Sequence, residues 1–354
     1  MSSDKHRIET LSSLPEFLFD PALKAPELEI NNFPDIAWRD VLKMMLRIRR
    51  IEELLGERAA KGIIKTPVHL YIGQEAVATG LALNLKNTDF AFGNHRSHGH
   101  YLAMGGDEYA LLCEILGKEE GCSHGMGGSM HITAADKGFI GALPIVAGTI
   151  PIAVGAALHA KRNSNDSVAV VFFGDGAVEE GVFHESMNFA AVHSLPVLFM
   201  CENNLFSSHM HLSQRQPFMD ISRFAIAHGI DYATIDGNNV TEVYRSSREL
   251  LQIARIQRKP VLLEAITYRW RAHVGPDEDI EIGYGRRYDL PNWKKRDPIK
   301  RLVDALLKSG LITDDWLVKE DQSISEELRT LQDRAEEAAY PAKGQLFNKV
   351  YADK

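Results

Sequence analysis

The chain has 354 residues, 45% of them apolar and 25% charged, which supports a large buried core and excludes wholesale disorder. Its 40 Lys and Arg stand against 48 Asp and Glu, and the net charge of −8 excludes general nucleic-acid binding, which needs clustered positive charge to displace phosphate counterions. Cys113, Cys122 and Cys201 fit neither a CxxC pair nor a tetrahedral zinc pattern, and three are too few for a disulfide framework, so a reducing, cytoplasmic compartment is expected.

Met1 to Ser13 is polar with mixed charge, and no apolar run follows a basic start, so no secretory signal is read there. Residues 1–36 read as an arm punctuated by Pro15, Pro21, Pro26 and Pro34. Ala37 to Lys61 reads as a helix, with Leu42, Met45, Leu46, Ile48, Leu54 and Leu55 as apolar positions and Gly62 as its stop. Gln74 to Leu85 and Asp107 to Leu116 read as short helices, with a loop rich in Gly and His between them. Phe139 to Leu158 carries no charge and is long enough to span a bilayer. Gly141, Pro144, Gly148, Pro151 and Gly155 interrupt it, so it reads as a buried loop followed by a helix, and no membrane association is expected.

From Ser167 the pattern changes. Val168 to Phe173 is a continuous apolar run, as expected of a strand covered on both faces. A helix (Glu179 to Ser194), a second buried strand (Pro196 to Cys201), a helix near Asp220 to His228, a strand near Tyr232 to Ile235, a helix (Thr241 to Arg258) and a strand (Val261 to Tyr268) follow. This alternation predicts an α/β fold, a doubly wound and mostly parallel sheet with crossover helices. Arg269 to Asp297 reads as a long polar loop, and charged helices follow from Pro298. The expected organisation is an arm (1–36), an α/β domain (37–306) and a C-terminal helical extension (307–354).

Gly174-Asp175-Gly176 directly follows the first buried strand, and Glu202-Asn203-Asn204 ends the second. Asn204 follows Asp175 by 29 residues, the length of one strand–turn–helix–strand unit. Both motifs therefore fall at the carboxyl ends of neighbouring parallel strands, where α/β sheets bind ligands. Asp175 and Asn204 offer two hard oxygens, and the Phe206 carbonyl can supply a third. Magnesium takes a few protein oxygens and leaves its other positions to phosphates and water, so the set suits magnesium holding a diphosphate. Gly-Asp-Gly alone reads as readily as a turn. The His-x-His pairs offer another reading, since His95, His98 and His100, or His209 and His211, have spacings a zinc-dependent hydrolase can use. No acidic residue stands beside either pair.

The Gly-Asp-Gly…Asn-Asn pattern is similar to the thiamine-diphosphate motif. From about Trp38 to Leu306 the chain resembles the alpha subunit of the decarboxylating component of 2-oxoacid dehydrogenase complexes, of the pyruvate or acetoin type. The resemblance rests on Leu70-Tyr71-Ile72-Gly73-Gln74-Glu75-Ala76, His95-Arg96-Ser97-His98-Gly99-His100, Gly127-Gly128-Ser129-Met130-His131, Gly174-Asp175-Gly176-Ala177, Cys201-Glu202-Asn203-Asn204 and Thr267-Tyr268-Arg269. It implies thiamine diphosphate and Mg2+ as cofactors. Asp175, Asn204 and the Phe206 carbonyl would hold the metal. His95, Arg96, Ile145, Val146, Gly174, Gly176, Ala177 and His273 would stand around the cofactor. His69 and His273 would line the mouth as catalytic residues that orient substrate and the lipoyl acceptor, and His is suited to donate a proton near neutral pH.

The reaction implied is cleavage or decarboxylation of a 2-oxo compound, with transfer of the acyl unit to a lipoyl carrier. A standalone thiamine-diphosphate carboligase, or a subunit that binds cofactor without turnover, are the alternatives within that resemblance. A beta subunit carrying the pyrimidine-binding domain, an α2β2 heterotetramer and a lipoyl acyltransferase are the expected partners. Two departures are visible. Many members carry Tyr where this chain has His95 and Phe206. They usually carry Asn-Gly-Ile-Val-Gly where it has Leu143-Pro144-Ile145-Val146-Ala147.

Overall fold

The computed structural model describes residues 14–281 and 285–347. Among the described residues before the first long helix, the chain forms short 3-10 turns at Glu16–Leu18 and Ile30–Asn32. The elements that follow are α1 (Trp38–Ala60), α2 (Glu75–Ala82), β1 (Phe90–Gly93), α3 (His98–Ala103), α4 (Glu108–Ile115), β2 (Phe139–Ala142), α5 (Thr149–Arg162), β3 (Ala169–Gly174), α6 (Gly181–Val192) and β4 (Val197–Asn203). A two-stranded hairpin, β5 (Phe206–Ser207) and β6 (Met210–His211), leads to α7 (Arg223–Ala227), β7 (Asp231–Asp236), α8 (Val240–Gln257) and β8 (Val261–Ile266). Three α-helices follow, α9 (Arg286–Lys295), α10 (Pro298–Lys308) and α11 (Asp314–Glu337), and a 3-10 turn at Lys343–Phe347 ends the described residues.

Six strands form one sheet in the order β2-β1-β3-β4-β8-β7, and every pairing is parallel. The strands alternate between two cores. Val170, Phe172, Leu198, Met200, Leu263 and Ala265 face the core shared with α1, α2 and α8. Val171, Phe173, Phe199, Cys201 and Leu262 face the one shared with α5 and α6. Burial on both faces is why these strands read as unbroken apolar runs. From β1 the chain winds to β2 on one side, and from β3 to β4 on the other. The switch point between β1 and β3 opens a crevice outside the carboxyl ends of the strands.

The stretch expected as a Gly/His loop contains β1 and α3. Four residues are too few for a periodicity to show, and Gly99 sits in α3 because a Cβ there would lie 2.3 Å from the Tyr71 ring. The polar stretch 269–297, expected as a loop, contains α9, in which Leu290 and Trp293 are buried despite an internal Pro291. The uncharged run Phe139 to Leu158 is β2, a short loop and most of α5, and no helix among the described residues is long and apolar enough to cross a membrane. Helix α10 spans the expected boundary at residue 306, and Ile299, Leu302, Leu306, Ile324 and Leu328 join the core that contains α1.

Candidate active site

The expected site residues gather at one end of the sheet. His95 and Arg96 follow β1, Ile145 and Val146 follow β2, Gly174 to Ala177 end β3, Asn204 and Phe206 follow β4, and Arg269 and His273 lie beyond β8. Residues 175–179 form a 3-10 turn before α6. A Cβ on Gly176 would lie 2.6 Å from Ser207 Oγ, so the β5–β6 hairpin packs directly on the Asp175 turn and only glycine fits. Gly174 has more room, with its nearest neighbour, the Glu202 carbonyl, 4.0 Å away.

Asp175 is buried, and burial raises its carboxyl pKa against the pull of Arg215. Arg215, carried on the loop after β6, pairs with Asp175 Oδ2 and also with Glu179. Asp175 Oδ1 is left buried with no partner. Asn204 Nδ2 donates to Gln74 Oε1 at 3.2 Å, and Asn204 Oδ1 accepts from the Phe206 amide at 3.3 Å. Gln74 Nε2 is also buried without a partner. Asn203 is fixed by Glu264, to which it donates at 2.7 Å.

Three imidazoles meet across the crevice. The His69 ring centroid lies 4.7 Å from that of His95 and 5.0 Å from that of His273, and the last two are 5.2 Å apart. Burial, with the positive charge of Arg96 second, lowers their pKa values to about 3 for His69, about 2 for His95 and about 4 for His273. At neutral pH all three are therefore uncharged, so in the ligand-free chain they are not the cationic proton donors that an ordinary histidine pKa suggests.

Arg96 is buried and donates to the Leu70 carbonyl at 2.7 Å and the His273 carbonyl at 3.1 Å. One guanidinium thus ties together the two segments that carry His69 and His273. Arg269 donates to the carbonyls of Arg271 and Ser208, while its Nε is buried without an acceptor. Burial lowers the pKa of Arg96 to about 10 and of Arg269 to about 9, both still cationic at neutral pH. Ile145 and Val146 are exposed at 69% and 51%. Ala147 beside them has φ +60°, a left-handed conformation that suits the glycine expected there in relatives.

The His-x-His zinc readings do not assemble. His98 is fully buried between Glu52 and Ser129, at 3.0 and 2.8 Å, and His100 lies between Ser97 and Glu202, at 3.1 and 2.9 Å. Their ring nitrogens are occupied by hydrogen bonds, while His95 points to a different cluster. His211 caps the turn at Ser213, and His209 faces Asp279 at 3.4 Å. Glu75 is buried in a bidentate pair with Arg49, at 2.6 and 3.0 Å, and serves structure.

Sequence reasoning assigned no role to Gln74, Arg215 or Arg269. Gln74 and Arg269 stand inside quoted motifs, and their position beside site residues is a usable signal. Nothing local marks Arg215, which reaches Asp175 across 40 residues of chain.

A profile of the dehydrogenase E1 component family matches residues 43–343. The chain is 37% identical over 308 residues to the alpha subunit of acetoin:2,6-dichlorophenolindophenol oxidoreductase of Bacillus subtilis, covering 87% of this chain and 91% of that one. It is 32% identical over 309 residues to the pyruvate dehydrogenase E1 component subunit alpha of Rickettsia prowazekii, covering 87% and 94%. The corresponding subunit of Zymomonas mobilis is 33% identical over 314 residues, with 88% of each chain covered. A parallel sheet with its polar crevice at the switch point, matched over most of its length by this profile, makes the chain a member of the dehydrogenase E1 component family.

Proposed function

We propose that the chain is the alpha subunit of a thiamine-diphosphate- and magnesium-dependent dehydrogenase component. It acts on a 2-oxo substrate of the pyruvate or acetoin kind, in the cytoplasm, and passes the acyl unit to a lipoyl carrier on an acyltransferase. The observation that carries this reading is a set of buried, unpartnered polar atoms of both signs in one crevice. Asp175 Oδ1 lacks a cation or donor, while Gln74 Nε2 and Arg269 Nε lack acceptors. A magnesium diphosphate answers both needs, because leaving such groups unpaired costs about 1–3 kcal/mol each.

In this reading Asp175 Oδ1, Asn204 Oδ1 and the Phe206 carbonyl hold magnesium. Arg269 and His273 would contact the diphosphate. Arg96 ties together the backbone segments that carry His69 and His273 through its bonds to the Leu70 and His273 carbonyls. The bound thiazolium ring supplies a nucleophilic carbon and then an electron sink. The neutral imidazoles of His69 and His273 orient the substrate carbonyl and the incoming lipoyl group by hydrogen bonds and accept or return protons at their ring nitrogens.

The test is calorimetric titration of thiamine diphosphate with magnesium into wild type and Asp175→Ala, each with its beta subunit. Wild type binds, and the variant, with its core intact, binds at least about 100-fold more weakly, a loss of about 2.7 kcal/mol. Equal binding by the two proteins refutes the assignment.

A further inference from the structure

The three imidazoles of His69, His95 and His273 bring their ring nitrogens together. Each of His69, His95 and His273 offers one ring nitrogen, and the three atoms lie within 4.8 Å of one another. The rings meet at 60–79° instead of stacking, like three blades around one centre. His69 Nδ1 is buried with no hydrogen-bond partner. We propose that these three side chains form a facial three-nitrogen site for a borderline-soft divalent cation such as Zn2+, separate from the oxygen site at Asp175.

Zinc bonds imidazole nitrogen at about 2.0–2.1 Å and takes three histidines with an open fourth position. Tetrahedral geometry then places the nitrogens about 3.4 Å apart. The widest pair must close by about 1.4 Å on metal binding, a movement we assign to side-chain rotation. The segments themselves are already held: Arg96 bonds the Leu70 and His273 carbonyls, so closing the rings needs no reordering of backbone.

Ligand imidazoles must be neutral. Arg96 and Arg269 are the opposing charges, since both act on the cluster. An anion in the fourth position, hydroxide or chloride, offsets them, and Arg269 Nε is a donor without an acceptor. Magnesium demands octahedral oxygen and gains little from three nitrogens, so the two sites sort hard and soft cations by ligand type. A cation seated among these rings closes the mouth to substrate.

The experiment uses Co2+ as a spectroscopic probe on the full-length chain with its beta subunit, free of thiamine diphosphate. The expected result is an intense visible band of tetrahedral cobalt that saturates at one equivalent per chain, is displaced by Zn2+ and is unchanged by excess Mg2+. His95→Phe and His273→Phe each weaken cobalt binding by about 100-fold or more, beyond the loss expected for an outer-shell partner. Far-ultraviolet dichroism and melting of each variant verify the fold. If a Phe variant misfolds, the Gln variant at the same position is read in its place. No visible band in wild type, cobalt binding retained in a folded His95 or His273 variant, or displacement by Mg2+ overturns the proposal. Failure of thiamine diphosphate to bind tells against the cofactor reading and leaves this result standing, because cobalt is read without cofactor.

Discussion

At the scale of single residues, the histidine triad sets a pH dependence. The folded-state pKa values of His69, His95 and His273 lie at about 3, about 2 and about 4, below the ordinary value of about 6.5. Above about pH 6.5 the rings are neutral both folded and unfolded and contribute no slope. Below it the unfolded chain binds protons that the native crevice refuses, so their contribution to stability falls as pH drops towards about 4. Each ring contributes at most about 1.4 kcal/mol per pH unit, and less where water reaches it. Buried carboxyls with raised pKa, such as Asp175, Glu75 and Glu264, act in the opposite sense, so the informative quantity is a difference. Urea denaturation at pH 7.5 and pH 5.0 should show a smaller acid loss for His95→Phe than for wild type. An equal loss would mean that His95 titrates normally. Asp175 and Asn204 were legible because each follows an apolar strand within a few residues. The pairing of Asp175 with Arg215 was not, because it joins segments that only the folded hairpin brings together.

At the scale of elements, what was legible follows the length of the apolar run. Strands β3, β4 and β8 each carry six or seven residues and announce themselves, whereas β1 and β2 have four apiece and are held by their neighbours in the sheet. Gly-rich segment 121–128 shows a different logic. It looks like a ligand loop, yet it wraps a side chain of its own protein. The buried Glu114 carboxylate accepts from the amides of Ser123, Gly125, Gly127 and Gly128 at 2.7–2.9 Å. Gly125 and Gly128 have φ +72° and +64°, and a Cβ on Gly127 would lie 2.3 Å from the His131 carbonyl. The glycines thus let four backbone amides converge on one anion. Glu114→Gln removes the charge and turns one acceptor into a donor facing N–H groups. It should cost about 1.5–3 kcal/mol in chemical denaturation. A change below about 0.5 kcal/mol would show that the carboxylate does not organise the loop.

At the scale of the whole molecule, one side of the sheet is unfinished. Helices α5 and α6 pack together over the same core, yet Ile152, Phe189 and Val192 are exposed at 48%, 43% and 70%. Ile145 and Val146, on the loop that leads into α5, extend this apolar character towards the crevice. Single exposed apolar side chains are ordinary, but five on two packed helices and the loop before them make this the surface on which the proposed beta subunit is expected to dock. The thiamine chemistry proposed above calls for one as well. Six parallel strands make one α/β unit, which in the proposed function would supply the metal and diphosphate contacts. Glu75, in the motif next to Gln74, is buried and paired with Arg49 and so is not free to act on a cofactor ring. In the proposed function a second α/β unit comes from a beta subunit, and the expected arrangement is α2β2. Purified alone, the chain should associate non-specifically in light scattering and show no turnover of pyruvate or acetoin with an artificial electron acceptor. Co-expressed with the beta subunit, it should elute as a 2:2 assembly and turn over. Val192→Glu should weaken that assembly by tenfold or more, about 1.4 kcal/mol, while leaving the melting of the isolated chain unchanged, since Val192 contacts solvent there. Turnover by the lone chain comparable to that of the pair would show that one chain suffices, and the two-subunit site would have to be abandoned.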